Sequence, residues 1–390
     1  ALATIVKVEG MHRIADTFGP IPYVNYGSSS LYDALDLVYN KFFEELDNAI
    51  EVLSNYVNGN VDAKLMSDYD CVYGGDVEKW VKFANTLRLR LAIRVSYANP
   101  TLAEAQAKKS MENMFGFIES KAERAELSHN SLEYHHPLHE IAYNFNSGDC
   151  RPGATIVAYL NGLNDSRISS YFTAADDGEY HGVRIGITTS NMSNYQGNKI
   201  SNLNINRAST PVVWMTAAES FFLRAEGALR GWDMGGTAKS FYEQGVRMSF
   251  EENNAAGVDD YLADHTSTPG AFADNVGSDN YTFSSRVTPA WDDNAGFEAQ
   301  LERIITQKWI ANYPDGPEGW SEYRRTGYPE VIPVVRNSSN GTIDTQLQVR
   351  RLPYTRDEKI NNASGVASGI SALGGKDTGG AKLWWDKKSR

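Results

Sequence analysis

The sequence is poor in cysteine, in long apolar runs and in excess basic charge, and each shortage removes a class of protein. Two cysteines, Cys71 and Cys150, occur in 390 residues, so a disulfide framework is excluded and at most one bridge is available. No apolar run approaches the roughly 20 residues that a helix needs to cross a bilayer. Acidic residues outnumber basic ones by 49 to 37, for a net charge of -12, and a surface of that sign repels nucleic acid outside a local basic pocket. The opening residues ALATIVKVEG lack the charged, apolar and small-residue parts of a secretory leader. Either a cytosolic protein or a missing beginning is expected from that.

Aromatic residues are what the chain has in abundance. They make up 11% of it, as 21 Tyr, 15 Phe and 8 Trp, more than a core of this size needs, so some are expected to face a ligand. The main periodic signal is helical. In LYDALDLVYNKFFEELDNAIEVL the positions Leu31, Leu35, Tyr39, Phe42, Leu46, Ile50 and Leu53 recur at steps of three or four, which predicts one buried stripe on a helix near 31–56. A second helix is predicted through DVEKWVKFANTLRLRLAIRVS, with Trp80, Ala84, Leu87, Leu91 and Val95 inward, and LAEAQAKKSMENMFGFI after the Asn99-Pro100 break completes a hairpin over 78–122. A third pair is predicted over 211–253. There Trp214, Ala218, Phe221, Ala225 and Ala228 share a face, and TAKSFYEQGVRMSFEE follows the turn Asp233-Met234-Gly235-Gly236. Small and aromatic residues on helix–turn–helix units resemble the tetratricopeptide repeat.

Between these pairs lie long Asn-, Ser-, Gly- and Tyr-rich stretches at 123–210 and 254–296, where short strands and ligand contacts are expected. From Arg336 onward NSSNG and GVASGISALGGKDTGG read as loop, ending in the apolar anchor Leu383-Trp384-Trp385 that should wrap over the helices. The fold class expected is mostly α: tetratricopeptide-like helical pairs with long irregular loops and a few short strands, in a single domain over 1–390.

A fourth pair is predicted over 297–326. Phe297, Leu301, Ile304, Ile305 and Trp309 form one helix face, Pro314 and Pro317 stop it, and Pro317 suits the first turn of another helix. On that helix Tyr323 and Arg324 follow Trp320 by three and four positions, so either can share its face. The stretch RIITQKWIANYPDGPEGWSEYRRTGYP therefore reads as a structural corner, in which Arg324 and Arg325 satisfy buried carboxylates or helix carbonyls.

Catalytic and metal motifs are weak. HHPLHE gives His135 and His139 the spacing of a zinc pair, but His136 stands where the glutamate base would be and Pro137 interrupts the helix. GISALGGKDTGG fails the phosphate-loop spacing at Ile370 and Asp377. No carboxylate pair stands out for glycoside hydrolysis. No cofactor is expected.

The stretch QKWIANYPDGPEGWSEYRRTGYP resembles the signature of the SusD/RagB family of surface glycan-binding outer-membrane lipoproteins. FGPIPY, YGGDVEKWVKFANTLRLRLAIRVS, NDSRISSYF, FLRAEGALRGW, RRLPYTRDE and LGGKDTGGAKLWWDKK follow in that family's order and cover nearly the whole chain. The resemblance implies a non-catalytic protein that captures oligosaccharide at the cell surface and delivers it to a SusC-like TonB-dependent transporter. It further implies a lipid anchor on an N-terminal portion preceding Ala1, and ligand contacts between the second and third helical pairs.

A pyranose offers an apolar C–H face and a hydroxyl rim, so its site needs flat aromatics and amide or charged groups. EYHHPLHEIAYNFNSGDCRP, DDGEYHGVRIG and NMSNYQGNK supply both. The residues expected to bind are Tyr134, His136, Tyr143, Asn144, Asn146, Tyr180 and Tyr195, with Trp291 as a further loop candidate. Arg151 and Arg184 are the residues that could form a basic pocket. A glycoside hydrolase and a peptide-binding repeat scaffold are the rival readings.

Overall fold

The computed structural model describes residues 1–390 apart from 61, 63, 128–135, 146–149, 188–192, 194, 196, 208, 275–278 and 389–390. It begins with a helix that apolar periodicity does not reveal, α1 (Leu2–Phe18). Its buried residues, Ile5, Val8, Glu9, His12, Ala15 and Asp16, have helical spacing, but half of them are polar. α1 packs on α2 (Leu35–Gly59), whose buried face holds Leu35, Tyr39, Phe42, Leu46, Ile50 and Leu53 as the spacing predicts. Leu31 falls outside that helix and is half exposed.

Helix α3 (Val77–Arg94) starts at Asp76, whose side chain accepts the N–H of Lys79, and is buried nearly all round. α4 (Pro100–Glu112) starts at Asn99, which accepts from Leu102. Both caps occupy otherwise unpaired first-turn donors. Three-residue β1 (Ala125–Leu127) leads into the loop-rich part, which holds the short helices α5 (Pro137–His139), α6 (Ala154–Gly162) and α7 (Ile168–Tyr171) and the strands β2 (Phe172–Thr173), β3 (Asn202–Leu203) and β4 (Val212–Met215). β1 pairs antiparallel with β4, and β2 with β3. The segment expected to open the third helical pair is therefore a strand: Trp214 belongs to β4, and α8 (Ala217–Leu229) begins only after Thr216, which accepts from Glu219.

α8 packs on α9 (Ala238–Glu252) and on α11 (Phe297–Ala311), with α10 (Val258–Leu262) beside α9. α12 (Gly316–Thr326) follows the Pro-Asp-Gly-Pro corner. Gly319 makes that corner tight: a Cβ there would stand 2.7 Å from Cδ1 of Trp309, closer than carbon atoms pack. The polar C-terminal stretch is more regular than expected. α13 (Arg356–Asn361) and α14 (Ala363–Ala372) lie in it, before Leu383 and Trp385 bury themselves against α1–α3.

Among the described residues two large apolar cores result, one around α1–α3 and a larger one around α6, α8, α9 and α11, with a small third cluster of Tyr32, Tyr354 and Val366. Where α3, α8, α11 and α12 meet, the interior is ionic. Arg90 pairs with Glu219 at 2.6 Å, Arg94 with Glu318 at 2.5 Å and Glu322 at 2.8 Å, and Lys308 with Glu318 at 2.9 Å. Arg325 forks onto Glu226 at 2.6 and 2.7 Å. Burial opposes the ionisation of Glu226, but Arg325 and Arg230 overcome it and hold the carboxyl down at about 2. The sequence reading of 303–329 as a corner agrees with these contacts. Arg13 extends the ionic layer outward, donating to both oxygens of Asp315 at 2.8 and 2.9 Å while Asp315 caps α12.

Candidate functional site

The loops over α6 enclose a cleft of about 650 Å³. Ala154, Val157 and Ala158 of α6 make its floor, and loops around 177–182, 195–200 and 270–274 make its walls. The loops come this close because Gly162 and Gly270 lack side chains: a Cβ on Gly162 would lie 2.0 Å from the backbone nitrogen of Gly270.

Tyr180 and Tyr195, both expected to bind ligand, line this cleft together. Tyr195 is only 9% exposed and is held by its hydroxyl, which donates to Oδ1 of Asp274 at 2.7 Å. The Tyr180 carbonyl accepts from Nδ2 of Asn161 at 3.1 Å, which ties the wall to α6. Phe272 adds a third ring on the opposite loop, held by reciprocal backbone bonds with Tyr281 at 2.8 and 3.0 Å. The rim is polar. His181 bonds Oδ2 of Asp177 at 2.8 Å, and that bond lowers the Asp177 carboxyl below its usual range. Glu179 and Lys199 complete a mixed-charge edge.

The other expected ligand residues that are described lie elsewhere. His136 is buried and uses its ring nitrogen to accept from the N–H of Leu138 at 3.2 Å, capping α5. Tyr143 stacks on His139 with ring centroids 4.7 Å apart and donates its hydroxyl to the Leu203 carbonyl. Asn144 bonds Glu140 at 2.6 Å. Trp291 is 7% exposed, packs against Tyr242 of α9 at 5.3 Å and donates its indole N–H to Asp293 at 3.0 Å. Its ring is spent on the core, so no face remains for a ligand. Tyr134 and Asn146 lie outside the described residues, as do His129 and His135.

Arg184 does not form a basic pocket. Its guanidinium donates to the carbonyls of Pro333, Asp279 and Asn280. Among the described residues no group of three or more His, Cys, Asp or Glu side chains is placed to hold a metal ion, and no helix is long and apolar enough to cross a membrane. Of the cleft residues that the sequence did not single out, Asp177 and His181 carry a signal, their four-residue spacing in DDGEYH. Phe272 carries none, since a lone ring in a polar stretch does not announce its neighbour a hundred residues away.

The family model described as "SusD-like: Susd and RagB outer membrane lipoprotein" matches residues 1–386. Solved structures agree with it over the whole fold. A chitin-binding SusD homolog from Flavobacterium johnsoniae is 42% identical, with a TM-score of 0.95 over 100% of this chain and 80% of that one. A SusD homolog from Bacteroides uniformis is 43% identical, with a TM-score of 0.92 over 99% of this chain and 81% of that one. A SusD-like protein from Bacteroides thetaiotaomicron is 40% identical, with a TM-score of 0.91 over 99% and 81%. No curated protein matches the chain. With the helical pairs, the ionic corner and the loop cleft in place, these matches establish that the chain belongs to the SusD/RagB family.

Proposed function

We propose that the protein binds oligosaccharide at the cell surface, does not cleave it, and delivers it to a SusC-like TonB-dependent transporter in the outer membrane, where a lipid anchor holds it. The observation that carries the binding step is the cleft over α6, in which half-buried Tyr180 and Phe272 line the walls with buried Tyr195, beneath a rim of amide, carboxylate, imidazole and ammonium groups. Flat rings suit the C–H faces of sugars and the rim suits their hydroxyls. The chitin-binding activity of the Flavobacterium homolog supports the ligand class. The anchor and the transporter rest on the family alone.

Glycoside hydrolysis needs a carboxylic acid that keeps its proton near neutral pH. In the cleft, Asp177 is shifted the other way, toward the carboxylate, by His181. Glu252 and Glu302, two carboxyls that are pushed up, do not line the cleft. The stacked helical pairs offer the broad surface that a partner protein would cover. Calorimetry with neutral oligosaccharides, run beside a reducing-sugar assay, tests the proposal. Binding without release of reducing ends is the expected result. Turnover abolished by Asp177→Asn, or the absence of any glycan binding, would overturn it.

A further inference from the structure

A second cleft, of about 800 Å³, opens between the end of α1, the 21–32 loop and the start of α13. The function proposed above makes no use of it. Its floor is apolar, with Met11, Ile14 and Phe18 spaced three and four apart along α1. At its edge Tyr26 is 81% exposed, yet the turn that carries it is fixed. Buried Asp33 accepts the backbone N–H groups of Tyr23 at 2.9 Å and Val24 at 2.7 Å, and the side-chain amide of Asn25 at 3.0 Å. Three donors on one carboxylate brace the turn from beneath, so its order does not depend on burying the Tyr26 ring.

At the back of the cleft Tyr32 and Tyr354 meet edge to face with centroids 5.2 Å apart, and the Tyr32 hydroxyl bonds Oε2 of Glu358. The cleft thus has one braced ring in solvent, an apolar floor, and a carboxylate with serine hydroxyls along the rim. An alkyl chain would satisfy the floor but would strip water from Glu358 and the serines without replacing it. An acidic sugar would meet Glu358 as a like charge. A neutral pyranose satisfies all three features, with its C–H face on Tyr26 and its hydroxyls at the rim.

We propose that this cleft is a second carbohydrate site, separate from the one over α6, which takes a neutral sugar ring against Tyr26. The inference rests on the reading that the protein binds glycan. Met11 supplies a reporter inside the cleft. With methyl-13C methionine in the full chain, and the Met11 signal assigned by Met11→Leu, neutral oligosaccharide should shift that signal in the wild type and in Tyr180→Ala. It should leave the signal unmoved in Tyr26→Ala. Binding seen by calorimetry and weakened in Tyr180→Ala, with Met11 unmoved throughout, would overturn this site and leave the first one standing. No calorimetric binding in the wild type would overturn both. A Met11 shift produced by octanoate but not by oligosaccharide would show that the cleft takes an apolar chain, which also overturns the proposal.

Discussion

The guanidinium carbon of Arg324 lies 3.6 Å from the centroid of the Trp320 ring, one helical turn earlier on α12. The same guanidinium donates to the carbonyls of Asp16 at 2.5 Å and Arg350 at 2.9 Å, and the Trp320 indole donates to the Val349 carbonyl at 2.8 Å. One turn of helix therefore clips α1 and the 347–351 segment to the corner. Trp320→Ala and Arg324→Ala should each destabilise the protein by about 3–5 kcal/mol, through a lost aromatic or a lost buried cation, and should leave oligosaccharide affinity within about twofold. Denaturant unfolding beside calorimetry checks this. Unchanged unfolding with lost glycan binding would make the corner a ligand site.

Glu226 and Arg325 pair inside a buried network, in which Arg325 also meets Glu322 at 2.5 Å and Glu226 also meets Arg230 at 2.9 Å. Glu226→Leu leaves the guanidinium short of a carboxylate and should cost about 3–5 kcal/mol, whereas Glu226→Leu with Arg325→Met should recover only part of that loss, because Glu322 and Arg230 each lose a partner. A double-mutant cycle measures the difference. A double variant as unstable as the single one would show that packing, not charge, sets the cost.

The stability of the fold should fall with rising pH through one identifiable carboxyl. Glu252 accepts the N–H groups of Ala217 at 2.9 Å and Ala218 at 3.4 Å at the start of α8, and burial pushes its pKa up to about 7 from an ordinary 4.5. Between those two values the folded state holds a proton that the unfolded state has released. The stabilisation from this group is therefore complete below 4.5 and is lost as pH rises through about 7. Glu252→Gln should flatten the pH dependence across that window and gain up to about 3 kcal/mol relative to wild type at pH 8. Unfolding curves at several pH values decide the matter, and an unaltered slope would mean that other groups carry it.

In the loop cleft, Tyr180→Ala should weaken neutral oligosaccharide binding by about three- to tenfold, the worth of one stacked ring, with the melting temperature nearly unchanged. Tyr195→Phe should weaken it less, by freeing a ring that Asp274 now orients. Titration of both variants with the same oligosaccharide ranks them. The reverse order would place the stacking face on Tyr195.

Salt should matter little for that binding. Arg184 is committed to three backbone carbonyls and the chain carries a net charge of -12, so the overall field does not steer an anionic glycan inward. Neutral ligands should bind equally at low and high ionic strength, and sulfated or uronic ones should gain nothing at low salt. Tight, salt-sensitive binding of the acidic series, lost in Arg151→Ala, would show that Arg151 alone suffices as a basic pocket.

How far the sequence could be read follows from where its signals are local. The α2 stripe and the Trp320–Arg324 contact depend on residues three and four apart, so spacing exposes them. α1 stays hidden because Glu9, His12 and Asp16 occupy its buried face, and a pattern search for apolar side chains sees polar ones as surface. Burial opposes protonation of His12, but Glu9 and Asp16 prevail and raise its pKa, so the helix buries a charge network in place of a stripe. α14 hides for another reason: ASGVASGISA is built of weak helix formers and stands because Asn362 caps it and Val366 packs against Tyr32 and Tyr354. The loop cleft was half legible. Its tyrosines lie in an aromatic, amide-rich stretch, but their meeting with Phe272 and Asp274 is made by the Gly162–Gly270 approach, which no local pattern encodes.

The indole of Trp385 donates to Oδ1 of Asp16 at 2.8 Å across 369 positions of chain, and Leu352 donates its backbone N–H to Thr17 at 2.9 Å. α1 is thus completed by a segment far from it in sequence, although Asp16 also meets Tyr39 and Arg94 inside the fold. Contacts so distant in sequence form slowly, which makes residues 383–386 a late latch on a helix whose other partners, α2 and α3, lie close by in the chain.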